Sequence, residues 1–175
     1  MTIAFVFATL LTLLIMMAMV TDVASYRIPN KINGAMLLLY PIACVLLPGG
    51  GEVWLNGIIG FVILFAIGNI LFRFRVMGGG DVKMIAVLSL WIGYGMPLLN
   101  FVTLFGLLGG VGTLMLLSLR KITPFIVLKL KGEQATIPRV LSYHEPLPYG
   151  VPIGITFLYL LWTGVVPLLP VSITQ

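Results

Sequence analysis

Long apolar runs without a single charge recur along the chain, over residues 1–21, 32–51, 53–72, 84–119 and 146–175. A helix needs roughly 20 apolar residues to cross a hydrocarbon core of about 30 Å. The runs do not alternate apolar and polar positions, as the strands of a membrane barrel would. The fourth run is too long for one span and contains a helix breaker at Gly93–Pro97. The pattern therefore predicts six helices, over residues 3–20, 33–47, 54–72, 82–95, 98–119 and 150–169.

Composition places these helices in a membrane. Hydrophobic residues make up 60% of the chain and charged residues 9%, with a mean hydropathy of +1.16. A soluble domain needs a charged outer shell that this chain does not have. The first apolar run is long for a cleaved signal and no Lys or Arg precedes it, so we interpret it as a span. We expect an all-α, polytopic membrane bundle of about six transmembrane helices, forming a single domain over residues 1–175.

The basic residues predict the orientation. All ten lie in three predicted loops, 21–32, 73–83 and 120–148. Because cytoplasmic loops retain Lys and Arg, these loops are expected to be cytoplasmic and both termini to lie on the opposite side. The net charge of +5 then follows from topology and from contact with anionic headgroups, and it does not argue for nucleic-acid binding. Within the last loop, Ile122–Leu130 is expected to form an amphipathic segment on the membrane surface.

The residues that usually hold metals or form disulfides are scarce. Cys44 is the one cysteine and His144 the one histidine, and neither has partners at the spacing of metal ligands. We therefore expect no intrachain disulfide, no metal site and no cofactor.

Two of the five acidic residues lie where predicted helices meet the cytoplasmic surface. Asp22 follows the first span, and Asp81 opens the fourth after three consecutive glycines, Gly78–Gly80. If helices one and four are neighbours, the two carboxylates meet. Such a pair cannot ionise fully, so one carboxyl keeps its proton while the other can activate water. The titration would belong to the pair rather than to either residue.

Each of these residues also has a simpler interpretation. An Asp at a helix end is commonly an interfacial charge or an N-cap, and consecutive glycines commonly form a turn. Lys83 and Arg27 fit membrane anchors, and Pro29 fits a helix start. Two other functional classes stay open: a transport or assembly subunit without enzymatic activity, and a presenilin-like protease that cuts within a substrate helix.

Three segments together resemble the type IV prepilin peptidases. Residues 22–30, DVASYRIPN, resemble the first aspartate motif of that family, and residues 78–83, GGGDVK, match its GxGD motif. Residues 148–152, PYGVP, resemble the element that opens its last helix. The resemblance implies that Asp22 and Asp81 are the catalytic pair. It also implies motif or substrate-binding positions at Gly78, Gly80, Lys83, Arg27, Pro29 and Asn30.

The resemblance further implies the substrate and the location. Family members cut prepilins and pseudopilins where a short basic leader meets an apolar helix, at the cytoplasmic face of the inner membrane. Because that leader and the last basic loop would repel each other, leader recognition is expected to involve acids or lipid headgroups. Larger relatives carry paired CxxC motifs associated with N-methylation, which the single Cys44 cannot supply. We therefore expect cleavage without methylation, as in the compact peptidases of Flp (tight-adherence) pili, with archaeal preflagellin peptidases as the next alternative. The oligomeric state stays open.

Overall fold

A computed structural model describes residues 2–47, 50–131, 148–166 and 168, and the part of the predicted cytoplasmic loop at 132–147 lies outside the described residues. The described residues form six helices and no strand, which confirms the predicted all-α class. The helices are α1 (Thr2–Ser25), α2 (Asn30–Leu46), α3 (Gly50–Arg73), α4 (Gly79–Ile92), α5 (Met96–Lys131) and α6 (Gly150–Trp162).

Three helices are long and apolar enough to cross a membrane. Within the described residues they cover Ile3–Ser25, Trp54–Arg73 and Met96–Ile122, while α2 and α6 are shorter apolar helices. Large apolar side chains stay exposed on the outside of the bundle, among them Val45, Leu114 and Leu38. A lipid environment accounts for this exposure, because hydrocarbon solvates such side chains and water does not.

Helix α4 is the centre of the bundle. From Asp81 to Ile92 all of its residues are buried except Lys83, and it packs most extensively against α3 and also contacts α2, α6 and α5. Small residues of α3 allow this close packing: a Cβ on Gly60 would lie 3.1 Å from the Ser89 carbonyl oxygen, and one on Gly68 would lie 2.7 Å from Val82 Cγ1. Helices in membranes approach closely through such small residues.

Helices α1 and α4 meet through side chains rather than through extensive backbone contact, since α1 packs mainly on α6 and α2. Near one end of the bundle the rings of Phe7 and Trp91 lie 6.5 Å apart. At the other end lie Asp22 and Asp81, together with the charged residues Arg27, Lys31, Arg73, Arg75, Lys83 and Arg120. We call this the basic end.

Several helix boundaries differ from the predicted ones. Helix α1 continues through Asp22 to Ser25, and within it the Thr21 and Ser25 hydroxyls bond to carbonyls of the same helix. Hydropathy therefore marked the end of the apolar run and not the end of the helix. Helix α5 runs to Lys131 instead of ending at residue 119. The segment Ile122–Leu130, expected as a separate surface piece, is the continuation of that helix.

Helices α4 and α6 both end at glycines with positive φ. Gly93 has φ +77 and its N–H bonds to the Ser89 carbonyl, so α4 stops at Ile92 rather than at residue 95. The predicted break between the fourth and fifth helices is thereby confirmed. Gly164 has φ +76, and the Val165 N–H returns to the Leu160 carbonyl. This Schellman arrangement ends α6 at Trp162, short of the predicted residue 169.

Candidate active site

Asp22 lies in the last full turn of α1 and is buried, with 4% of its surface exposed. The N–H of Gly150, at the start of α6, donates a hydrogen bond of 2.7 Å to Asp22 Oδ2. Only a glycine fits this contact without movement, because a Cβ at position 150 would lie 2.8 Å from the same oxygen. The end of α1 and the start of α6 are thus joined through the Asp22 carboxylate.

Asp81 is held in a similar way. It lies in the first turn of α4 and is 8% exposed. Gly78, the residue before the helix, has an extended backbone (φ −70, ψ 146), and its N–H donates a hydrogen bond to the Asp81 carboxylate. A Cβ on Gly78 would lie 2.9 Å from Asp81 Oδ2. Each of the two acids therefore has a glycine N–H as a partner.

Both carboxylates line one open cleft at the basic end, with a volume of about 740 Å³. We call it the aspartate cleft. Its walls come from the end of α1, the connection between α1 and α2, the connection between α3 and α4, helix α5 and the start of α6. Besides the two acids, the lining residues are Tyr26, Arg27, Ile28, Asn30, Phe72, Arg75, Val76, Met77, Gly78, Gly79, Gly80, Leu117, Arg120 and Tyr149.

The surroundings of Asp81 favour its protonated form. Asp81 precedes the predicted span of the fourth helix and lies outside the three long apolar helices. Burial and, to a smaller extent, the neighbouring Asp22 carboxylate raise the pKa of Asp81 to about 7, against the lowering effect of the Gly78 hydrogen bond. Near neutral pH Asp81 therefore keeps a substantial share of its proton, and its titration is coupled to that of Asp22, as expected for neighbouring carboxylates. Such a pair can act as general base and general acid on a bound water and a carbonyl group.

The other residues expected from the sequence separate into two groups. Gly78, Gly80, Arg27 and Asn30 line the aspartate cleft with the two acids. Pro29 and Lys83 do not. Pro29 is the N-cap residue of α2, and its carbonyl accepts a hydrogen bond from the Ile32 N–H.

Lys83 is exposed and contacts a residue of α2. Its Nζ donates a hydrogen bond of 2.9 Å to Asn30 Oδ1, and it lines a separate pocket of about 240 Å³ between α2, α3 and α4. Lys83, expected as a motif or substrate-binding position, therefore lies beside the start of α2 and not among the residues that line the cleft.

Sequence reasoning did not single out four residues at this site. Gly150 and Tyr149 lie in the PYGVP element, whose glycine was the available signal, but nothing in the sequence linked it to Asp22. Arg120 was counted as a surface cation, yet it is buried at 3% exposure and lines the cleft. Asn33 is also buried, and its amide bonds to the Gly80 carbonyl. The sequence carried no signal for this contact, because it joins residues that are far apart in the chain.

A candidate metal site is not visible in the same region. Within the described ranges, no three His, Cys, Asp or Glu side chains come together as a group that could hold an ion.

Comparison with known proteins gives one result. The sequence model of a family described as the type IV leader peptidase family matches residues 8–121. The matched region contains Asp22, the Gly78–Asp81 segment and Arg120, and it ends before α6. No curated protein matches the chain, and no solved structure does.

Proposed function

The chain belongs to the type IV leader peptidase family, and from this premise we propose that it is a membrane aspartyl endopeptidase that removes the leader of prepilin-like proteins. The observation that carries the proposal is the position of Asp22 and Asp81, which are distant in sequence but line one cleft. A family match alone names a reaction class, whereas two buried carboxylates in a common cleft supply groups able to perform it.

The proposed mechanism uses the two acids as a unit. The charged carboxyl removes a proton from a water that lies between the pair, and this water attacks the scissile carbonyl carbon. The protonated carboxyl donates a hydrogen bond to the carbonyl oxygen and later protonates the leaving amine. The Gly150 and Gly78 hydrogen bonds hold the two side chains during these steps.

An open site at the membrane surface suits the proposed substrate. A peptide inside a helix has its carbonyls in hydrogen bonds, so the cut requires an extended stretch such as the junction between a leader and a following helix. The aspartate cleft opens at the basic end, which we propose is the cytoplasmic side. Its mixed lining offers apolar contacts at Phe72, Val76 and Leu117 for the residues around the junction.

The leader's positive charge must be accommodated at an already basic surface. Arg27, Arg75 and Arg120 line the cleft, and they would repel a basic leader at short range. We propose that the leader rests on anionic lipid headgroups beside the cleft, so that only its last residues enter it. Vesicles with a higher content of anionic lipid should then lower KM for a basic leader.

We also propose that this chain cleaves without methylating the product. The chain has one cysteine and therefore no paired CxxC motifs. That cysteine, Cys44, is partly buried on α2. This composition fits the compact peptidases of Flp pili better than the larger bifunctional relatives.

The deciding experiment identifies the product. Purified protein in detergent or liposomes is incubated with prepilin substrates that carry a short basic leader, and mass spectrometry determines the new N-terminus, with Asp81→Asn as the blank. We expect a single unmethylated N-terminus at the junction between leader and helix. Cleavage inside the apolar helix would favour a presenilin-like activity. Ion conduction without any cleavage would favour a transport subunit, and either result would refute the proposal.

A further inference from the structure

The start of α2 and the residues just before it contact the start of α4 at three points. The amide nitrogen of Asn33 donates a hydrogen bond of 3.3 Å to the Gly80 carbonyl, and Lys83 Nζ donates one of 2.9 Å to Asn30 Oδ1. Ile28 packs on Gly80 so closely that a Cβ there would lie 3.4 Å from Ile28 Cβ and 3.5 Å from its backbone nitrogen. We call Asn30, Asn33 and Lys83 the clasp.

The segment Gly78–Asp81, which the clasp contacts, has few interactions of its own that would hold its backbone in one conformation. Three consecutive glycines precede Asp81, and glycine loses more conformational freedom on ordering than any other residue. The N-cap residue of α4 is Gly78, which has no side chain that could cap the helix. The position of the Asp81 backbone therefore depends on contacts with other parts of the protein. Asn33 provides one at Gly80, and Asn30 provides another at Lys83.

Because Asn33 is buried, its hydrogen bond matters for stability. Asn33 is 4% exposed, and a buried amide is costly unless it is hydrogen-bonded. The side-chain nitrogen of Asn33 donates its hydrogen bond to the Gly80 carbonyl. An apolar residue at this position on an apolar helix would avoid the cost altogether. The presence of an amide facing the glycine segment therefore indicates a specific task.

We infer that Asn33, Asn30 and Lys83 are positioning residues, which hold the Gly78–Asp81 segment so that Asp81 faces Asp22 across the cleft. The inference rests on the proposed function and extends it, because it assigns the region after the first aspartate to positioning the second one. It also assigns a role to Lys83, which the resemblance gives only as a motif member. Because Lys83 lines a different pocket and bonds to Asn30, we assign it to positioning rather than to contact with the substrate.

The test compares clasp variants with matched controls in a cleavage assay. Asn33→Leu removes the amide at similar size, and Lys83→Met removes the ammonium but keeps the chain length. The controls are Asn69→Leu, because the Asn69 amide bonds to the Phe65 carbonyl of its own helix, and Lys31→Met, because Lys31 is an exposed neighbour on α2. All proteins are first compared for accumulation in membranes and for thermal unfolding in detergent.

A positioning role predicts a change in kcat with little change in KM. A small misplacement of a catalytic group can reduce a rate by 10- to 100-fold, so we expect kcat to fall about tenfold or more for Asn33→Leu and several-fold for Lys83→Met. Lys83→Arg should restore part of the loss. The double variant Asn30→Ala, Lys83→Met should be no slower than the slower single variant, because both changes remove one interaction.

The outcomes distinguish this inference from the proposed function. If the wild-type protein cuts no prepilin, the proposed function fails. If it cuts and the folded clasp variants keep wild-type kcat, the clasp inference fails and the function stands. A raised KM at unchanged kcat would overturn the inference in favour of direct substrate binding. If Asn33→Leu does not accumulate, Asn33→Gln and the Lys83 variants provide the same comparison.

Discussion

Adding one methyl group at Gly150 is a sharp test of how Asp22 is held. A Cβ at this position would lie 2.8 Å from Asp22 Oδ2 and 3.1 Å from both Asp22 Cβ and Cγ. The first of these distances is shorter than real Cβ contacts allow, so the carboxylate or the start of α6 must move. Neither moves easily, because Asp22 is buried and the Gly150 N–H is bound to the oxygen that the methyl group meets.

The size of the effect follows from the hydrogen bond that is lost or lengthened. Hydrogen bonds to charged groups contribute about 1.5–3 kcal/mol. At about 1.4 kcal/mol for each factor of ten, Gly150→Ala should lower kcat by roughly 10- to 100-fold. The assay is the initial rate of leader removal from a prepilin substrate at saturating concentration, with protein that elutes as a single folded species in detergent.

Gly106→Ala is the matched control. Gly106 lies within α5 and a Cβ there meets nothing within 4 Å, so alanine should leave the rate unchanged and favour the helix slightly. A folded Gly150→Ala protein that cuts within twofold of the wild-type rate would refute the reasoning, because Asp22 would then need no fixed partner at Gly150.

Four further predictions concern the pKa of Asp81 and two other glycines. Because the pKa of Asp81 is raised to about 7, the shared proton is lost as pH rises through that value. The rate of cleavage should therefore fall on the alkaline side, and a profile that is flat up to pH ~9 would contradict a dyad with this pKa. The neutral carboxyl also favours the folded state, so stability should decrease as pH rises from about 4 towards 7. Gly78→Ala places a Cβ 2.9 Å from Asp81 Oδ2 and should reduce kcat as Gly150→Ala does, whereas an unchanged rate would show that Asp81 tolerates displacement. Gly57→Ala drives a Cβ onto Tyr40 Oη and to 2.6 Å from the Leu90 carbonyl oxygen, so we expect about 1–3 kcal/mol of destabilisation, seen as a lower unfolding temperature in detergent; an unchanged temperature would contradict the tight packing of α2, α3 and α4.

The fold class followed from the sequence because the apolar runs, with one break at Gly93–Pro97, correspond to the helices. The residues at which the helices begin and end were harder to predict. Hydropathy reports where apolar residues stop, and Asp22 lies past that point although its backbone is still helical. Gly164 ends α6 through its left-handed backbone within a run that remains apolar, so hydropathy did not mark the stop, and the glycine itself was the available signal.

The candidate site was predictable only in part. Asp22 and Asp81 could be selected because acids are rare in this chain, and the family resemblance, which the family match confirms, paired them. Their partners depend on how helices pack. The Gly150 hydrogen bond and the Asn33 contact join residues far apart in sequence. Arg120 has the same charge as the surface cations around it, and only its burial in the cleft distinguishes it from them.

The central claim is that Asp22 and Asp81 act as one catalytic unit. The most direct measurement is the single-turnover rate of leader removal for the wild type, Asp22→Asn, Asp81→Asn and the double variant, each folded and present in equal amount. Residues that act as a unit are not additive, so we expect each single variant to fall to the background rate and the double variant to be no slower. A single variant that retains substantial cleavage, or a double variant whose loss is the product of the two single losses, would contradict the account.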